Sequence, residues 1–234
     1  MRVGLTLPQF RADPEPALAV ARAAEDAGLE GVFVFDHLWP IGQPDKPAIQ
    51  STALLGALCA ETSRVALGTL VARVGLVPDA VLVNMLLTVH RMIGDRLIAG
   101  VGTGDGLSKA ENDAYGVPYE PAATRLARVD NVVGQLRQRG VTTWIGGRSA
   151  QTLELAAGHG VPLNLWSPSD EELTSRRGAV EITWGGSVRS DVDLPKMLGG
   201  LADAGVTFAV LAPVDWDWDD AVAAIASAAE GVRR

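Results

Sequence analysis

Short, almost wholly apolar runs alternate along the chain with longer stretches in which apolar residues recur every three or four positions. The runs at 3–10, 31–37, 64–72, 96–101, 142–147, 162–166, 179–184 and 207–212 are the predicted strands. The periodic stretches at 48–62, 78–92, 121–139, 149–158, 169–177, 192–204 and 217–230 are the predicted helices. Another helix opens at Asp13-Pro14, where aspartate can cap and proline suits the first turn, and closes at Gly28. Strands with no polar face belong to a parallel sheet covered on both sides. Eight strand–helix units in 234 residues match a closed (β/α)8 TIM barrel, whereas an open doubly wound sheet more often stops at five or six strands. No linker, repeat or low-complexity tract interrupts the pattern, so residues 1–234 are expected to form one barrel domain.

Composition narrows the partners. With 47 % hydrophobic residues the chain can build a core, and disorder is excluded. A net charge of −8 argues against a nucleic-acid backbone or an anionic membrane as partner. No apolar run is long enough to span a bilayer. The amino terminus enters a strand at once without a signal-peptide pattern, and the expected setting is cytoplasmic. Cys59 is the single cysteine, which excludes a disulfide framework, and no zinc-ligand pair is spaced for a metal.

In such a barrel the chemistry sits at the C-terminal ends of the strands. Strand two ends in Asp36-His37, an imidazole beside a carboxylate that can manage a proton near neutral pH. The plainer alternative is that Asp36 caps the next helix while His37 packs at the rim. His90 and His159 fall at helix ends and read as structural. Trp144-Ile145-Gly146-Gly147-Arg148-Ser149 delivers two glycines into a helix start, where amides and Arg148 can face a phosphate. The alternative there is a tight turn capped by Ser149. Gly100-Val101-Gly102-Thr103-Gly104-Asp105-Gly106 lacks the glycine spacing of a dinucleotide fingerprint and runs into a polar loop over 108–120. It leaves a bare backbone edge beside a carboxylate, suited to a flat ring. The 216–220 segment (Trp-Asp-Trp-Asp-Asp) reads as an acidic helix start with aromatic rim packing.

These motifs together resemble the bacterial luciferase-like monooxygenase superfamily, in particular its branch using coenzyme F-420, an 8-hydroxy-5-deazaflavin. The resemblance is carried by Val3-Gly4-Leu5-Thr6-Leu7-Pro8, Phe33-Val34-Phe35-Asp36-His37, Arg64-Val65-Ala66-Leu67-Gly68-Thr69, Gly100 to Asp105, and Trp144 to Gly147. It implies a compact (β/α)8 barrel with shortened insertions, in which Asp36 and His37 border the deazaflavin ring. It further implies a non-proline cis peptide near Leu70, Val71 and Ala72, a proton donor at Asp105, and cofactor contacts from Gly104 and Ser108. The amides of Gly146 and Gly147, with Arg148 beside them, would hold the cofactor phosphate. The expected activity is hydride transfer between the deazaflavin and a small organic substrate, with His37, Asp105 and Asp36 as the catalytic candidates. The alternatives are an FMN-dependent two-component monooxygenase and a non-catalytic flavin-binding barrel. Relatives commonly dimerise through helices two and three, here the small apolar residues of 53–60 and 80–89.

Overall fold

The computed structural model describes residues 1–233. Its strands are β1 (Arg2–Thr6), β2 (Gly31–Val34), β3 (Ala66–Arg73), β4 (Leu97–Gly102), β5 (Thr142–Gly146), β6 (Leu163–Trp166), β7 (Ile182–Arg189) and β8 (Val206–Val214). They close in sequence order into one parallel barrel, with β1 paired to both β2 and β8. The helices are α1 (Glu15–Asp26), α2 (Ser51–Glu61), α3 (Asp79–Ile93), α4 (Lys109–Ala114), α5 (Ala122–Arg137), α6 (Ala150–His159), α7 (Asp170–Arg176), α8 (Leu194–Asp203) and α9 (Trp218–Glu230). Each strand is thus followed by a helix, and α4 is one more, inserted between β4 and α5.

The alternation of side chains along each strand divides the apolar residues into two cores. One face packs outward against the helices, as Val32, Val34, Leu67 and Ala72 do. The other plugs the barrel with Phe33, Leu70, Ile98, Trp144, Phe208 and Val210. Phe33 stacks on Trp144 at 5.3 Å, and Phe208 meets both edge-on. The plug fills the lower barrel, so any open volume must lie above it, at the strand C-termini.

Local chemistry explains the element ends. The Asp13 carboxylate accepts the Glu15 amide at 3.0 Å, and Gly28 takes φ +76° after α1. Asp217 caps α9 through the amides of Asp219 and Asp220, while the Trp216 indole donates to the Val188 carbonyl at the rim. Two expectations need correction. The stretch 108–120 is not all loop: a 3-10 turn at Gly106–Ser108 leads straight into α4. Strand seven does not stop near Trp184 but continues to Arg189, paired with β8 throughout. Trp184 therefore packs outward in the helix-facing core instead of standing at the mouth. No helix among the described residues is long and apolar enough to cross a membrane.

Candidate functional site

The strand C-termini surround a cavity of about 970 Å³, within the range of small-molecule sites. Gln9 anchors its wall: the side chain is fully buried, donates to the carbonyls of Phe35 and Ile49 at 2.7 Å, and accepts the Phe35 amide at 2.8 Å. This clamp ties the end of β1 to the chain leaving β2, which carries His37 into the cavity.

His37 and Asp36 do not form a pair. In extended backbone neighbouring side chains point to opposite faces, and here Phe35 and His37 line the cavity while Asp36 does not. The Asp36 carboxylate instead accepts the Ser51 hydroxyl and the Arg73 amide, both at 2.8 Å, fastening β2 to α2 and β3. Asp36 is placed as a staple behind the site, neither a cavity residue nor a cap on the α2 amides.

The partner of His37 is Glu111 on α4, which the sequence reading assigned no role. Glu111 is 1 % exposed and accepts three hydrogen bonds: His37 Nδ1 at 2.7 Å, the Leu38 amide at 2.7 Å and Arg73 Nη2 at 2.9 Å. Burial alone would push this carboxyl up. The hydrogen bonds from His37 and Leu38 and the charges of His37 and Arg73 outweigh burial and hold it below its usual value. An ionised carboxylate only accepts, so Nδ1 of His37 carries the proton. Nε2 is then left without a partner among the described residues, on a ring that lines the cavity. The readable signal for this element was the helical spacing of Lys109 and Asp113, which form an i,i+4 ion pair on α4.

Beside this cluster the wall is backbone. The Leu70–Val71 peptide bond is cis and lies inside β3, and both residues line the cavity. Ala72 does not; it faces the helices. Glycine is required around Val71: a Cβ on Gly102 or Gly146 would stand 2.5 or 2.7 Å from its methyl groups. The bare edge of β4 therefore makes room first for Val71. Gly104, at φ +67°, Asp105 and Ser108 also line the cavity. Asp105 Oδ1 accepts the Leu107 and Ser108 amides and the Ser108 hydroxyl, at 3.0 to 3.1 Å, so this oxygen caps the 3-10 turn.

The turn expected to hold a phosphate has its glycine amides only partly free. Gly146, Gly147 and Arg148 line the cavity, but the Gly147 amide donates to the Asn164 carbonyl at 3.2 Å and is already used. The amides left over belong to the first turn of α6. There Ser149 caps Thr152, while Ala150 and Gln151 have no acceptor within the helix. The Arg148 guanidinium donates to Glu172 at 2.8 Å and to the Ser167 carbonyl at 2.9 Å. The Ser169 amide, then the charges of Arg148 and Arg176, keep Glu172 below the usual carboxylate range. Arg148 is thus a paired cation, not a free one. His90 and His159 serve structure, contacting the Gly94 carbonyl at 3.0 Å and Asp130 at 2.6 Å. Among the described residues no group of three or more His, Cys, Asp or Glu is placed to hold a metal.

Comparison with known proteins places this cavity in context. Residues 1–139 match the family model described as luciferase-like monooxygenase. An F-420-dependent glucose-6-phosphate dehydrogenase of Beutenbergia cavernae is 29 % identical over 227 residues, covering 90 % of this chain and 66 % of the relative. The enzyme of the same name from Nakamurella multipartita is 32 % identical over 140 residues, covering 58 % of this chain and 38 % of the relative. The chain thus spans less than two thirds of the length of these relatives. Among solved structures, an F-420-dependent secondary alcohol dehydrogenase in complex with an F-420–acetone adduct superposes with a TM-score of 0.83 at 15 % identity, over 100 % of this chain and 99 % of that one. The coenzyme F-420-dependent tetrahydromethanopterin reductase of Methanopyrus kandleri gives 0.75 at 12 % identity, over the whole of both chains. These likenesses confirm the barrel, and the family match extends from β1 through α5. The chain belongs to the luciferase-like monooxygenase family.

Proposed function

We propose that this chain is a coenzyme F-420-dependent oxidoreductase that exchanges a hydride with a small organic molecule. The observation that carries the reading is the His37–Glu111 pair, which presents an unpartnered imidazole nitrogen in a glycine-backed cavity of about 970 Å³. The relatives, F-420-dependent glucose-6-phosphate dehydrogenases by name, supply the cofactor class. The residues present suit that cofactor. The β3–β5 wall offers Leu70, Val71 and glycine backbone for a flat ring, and the amides from Arg148 to Gln151 offer donors for a phosphate.

When bound, the deazaflavin supplies two-electron hydride exchange at its ring carbon C5. His37 Nε2 takes the hydroxyl proton of an alcohol substrate as the carbinol hydrogen departs with its bonding electrons, and returns the proton in the opposite direction. Glu111 holds the imidazole in the tautomer this step needs and stabilises its positive charge. Asp105 stands at the rim with no partner for Oδ2 among the described residues, and we assign it a secondary proton-handling role. Dimerisation through the outward faces of α2 and α3 belongs to the same proposal. There Ala53, Ala57, Val81 and Met92 are exposed.

The deciding experiment titrates the purified protein separately with oxidised F-420 and with FMN, followed by absorbance. Saturable F-420 binding with weak FMN binding supports the reading. Tight FMN binding with none for F-420 overturns it in favour of a two-component monooxygenase. Cofactor binding with no turnover across a broad substrate panel would leave only a flavin-binding barrel.

A further inference from the structure

The cavity has two unlike walls. From β3 to β5 it is mainly glycine backbone, Gly102, Gly104, Gly146 and Gly147, set around Leu70 and Val71. From β8 through β1 to the chain after β2 it is aromatic and aliphatic: Phe10, Phe35, Ile41, Val214 and Trp218. Phe10 stacks on Phe35 with ring centroids 5.7 Å apart, and Phe35 meets Trp166 edge-on at 5.6 Å, so a line of rings crosses the mouth. Eight large hydrophobic side chains stand exposed among the described residues. Four of them, Ile41, Leu107, Trp166 and Val214, line this one cavity. Exposed apolar surface concentrated on a concave site marks a ligand surface, not chance exposure.

The charges of the lining point the same way. A phosphate dianion drawn from water needs a preformed set of cations and donors to offset its desolvation. Arg73 is buried and committed to Glu111 and the Asp36 carbonyl. Arg148 is paired with Glu172 and lies on the cofactor side. Arg11 stands exposed at the rim, and among the described residues no further cation joins it in the lining.

We infer that the apolar wall takes an uncharged, hydrophobic, ring-bearing alcohol or its ketone as substrate, and not a sugar phosphate such as the relatives' names specify. This inference rests on the proposed function for the reacting group, while the binding preference stands on the wall itself.

Trp166 and Trp218 line the cavity and report its occupancy by fluorescence. The wild-type chain would be titrated with 1-indanone, 1-indanol and glucose 6-phosphate, with F-420 binding measured in parallel by absorbance. The expected result is saturable quenching by indanone and indanol and none by glucose 6-phosphate. Phe10→Ala should weaken indanone binding about tenfold, through lost stacking and apolar area, while F-420 affinity stays within about twofold. Ile41→Lys, at an exposed rim position, should weaken indanone binding in the same direction. Glucose 6-phosphate binding as tight as indanone, and lost in Arg11→Ala, would overturn the inference, as would indanone affinity unchanged in both wall variants. Indanone binding without F-420 binding would sustain the apolar site and sink the cofactor assignment instead.

Discussion

Glu111→Gln is the most searching perturbation of the site, because it removes a charge and keeps the shape. Three donors converge on the carboxylate: His37 Nδ1, the Leu38 amide and Arg73 Nη2, all within 2.9 Å. An amide offers one acceptor oxygen and turns two N–H groups toward donors that cannot receive them. The Arg73 guanidinium, 5 % exposed, loses its carboxylate, since Asp36 engages it only through a backbone carbonyl. Breaking one side of a buried ion pair costs about 3–5 kcal/mol. For a chain of this size that lowers the thermal midpoint by about 6–20 °C. The loss depends on pH in a definite sense. The folded carboxyl lies below its unfolded value, so its stabilisation is complete above about pH 4.5 and fades as pH falls below that. The gap in midpoint between wild type and variant should therefore be full at pH 7 and shrink in acid. Calorimetry across pH 3–7 reads this directly. A midpoint within about 2 °C of wild type at neutral pH would refute the buried network. Because His37 loses its orienting partner, kcat should also fall about 10²-fold or more, with F-420 affinity unchanged.

Other expectations follow from single residues. Glu25 accepts the amides of Ser63, Arg64 and Val65; burial opposes ionisation, but these bonds prevail and pull the carboxyl to about 2. Glu25→Gln should cost about 3 kcal/mol at neutral pH in urea unfolding, a penalty present above about pH 4.5 and lost toward pH 2; an equal penalty at pH 7 and pH 2 would contradict the linkage. Gly147 holds φ +152° with Thr152 2.8 Å from a virtual Cβ, so Gly147→Ala should lower stability by about 1–3 kcal/mol. Gly147→Asp should in addition weaken F-420 binding by bringing a carboxylate to the anion site, and unchanged affinity would place the phosphate elsewhere. His37→Ala should reduce kcat by about 10²–10⁴-fold, far beyond its effect on the unfolding midpoint, and an unchanged rate would remove His37 from the chemistry.

The barrel was legible because parallel strands buried on both faces leave unbroken apolar runs, and eight such runs account for the chain. Its errors have local causes. Gly185 and Gly186 resemble a turn, yet they lie within β7, and a Cβ there would strike Trp166 or Trp184; they are glycine for packing, not for a strand end. The helix α4 has six residues, too few for an apolar period to emerge, and only the Lys109–Asp113 spacing marks it. Glu111 lies 74 positions from His37, so only the closed barrel and the inserted helix bring them together. The β5–α6 turn was legible as glycines before a helix, but not the donation of the Gly147 amide to β6.

Side-chain parity decides the most instructive case. From 33 to 37 the chain alternates without a break. Phe33 enters the barrel plug, Val34 the helix-facing core, Phe35 the cavity, Asp36 the staple behind it and His37 the cavity again. Two polar neighbours at such a strand end therefore cannot both serve the site, however suggestive they look as an acid–base pair. One faces the ligand, and the other is spent on holding the strand. The proton partner of the first must come from another loop, and in this barrel the insertion after β4 supplies it through Glu111.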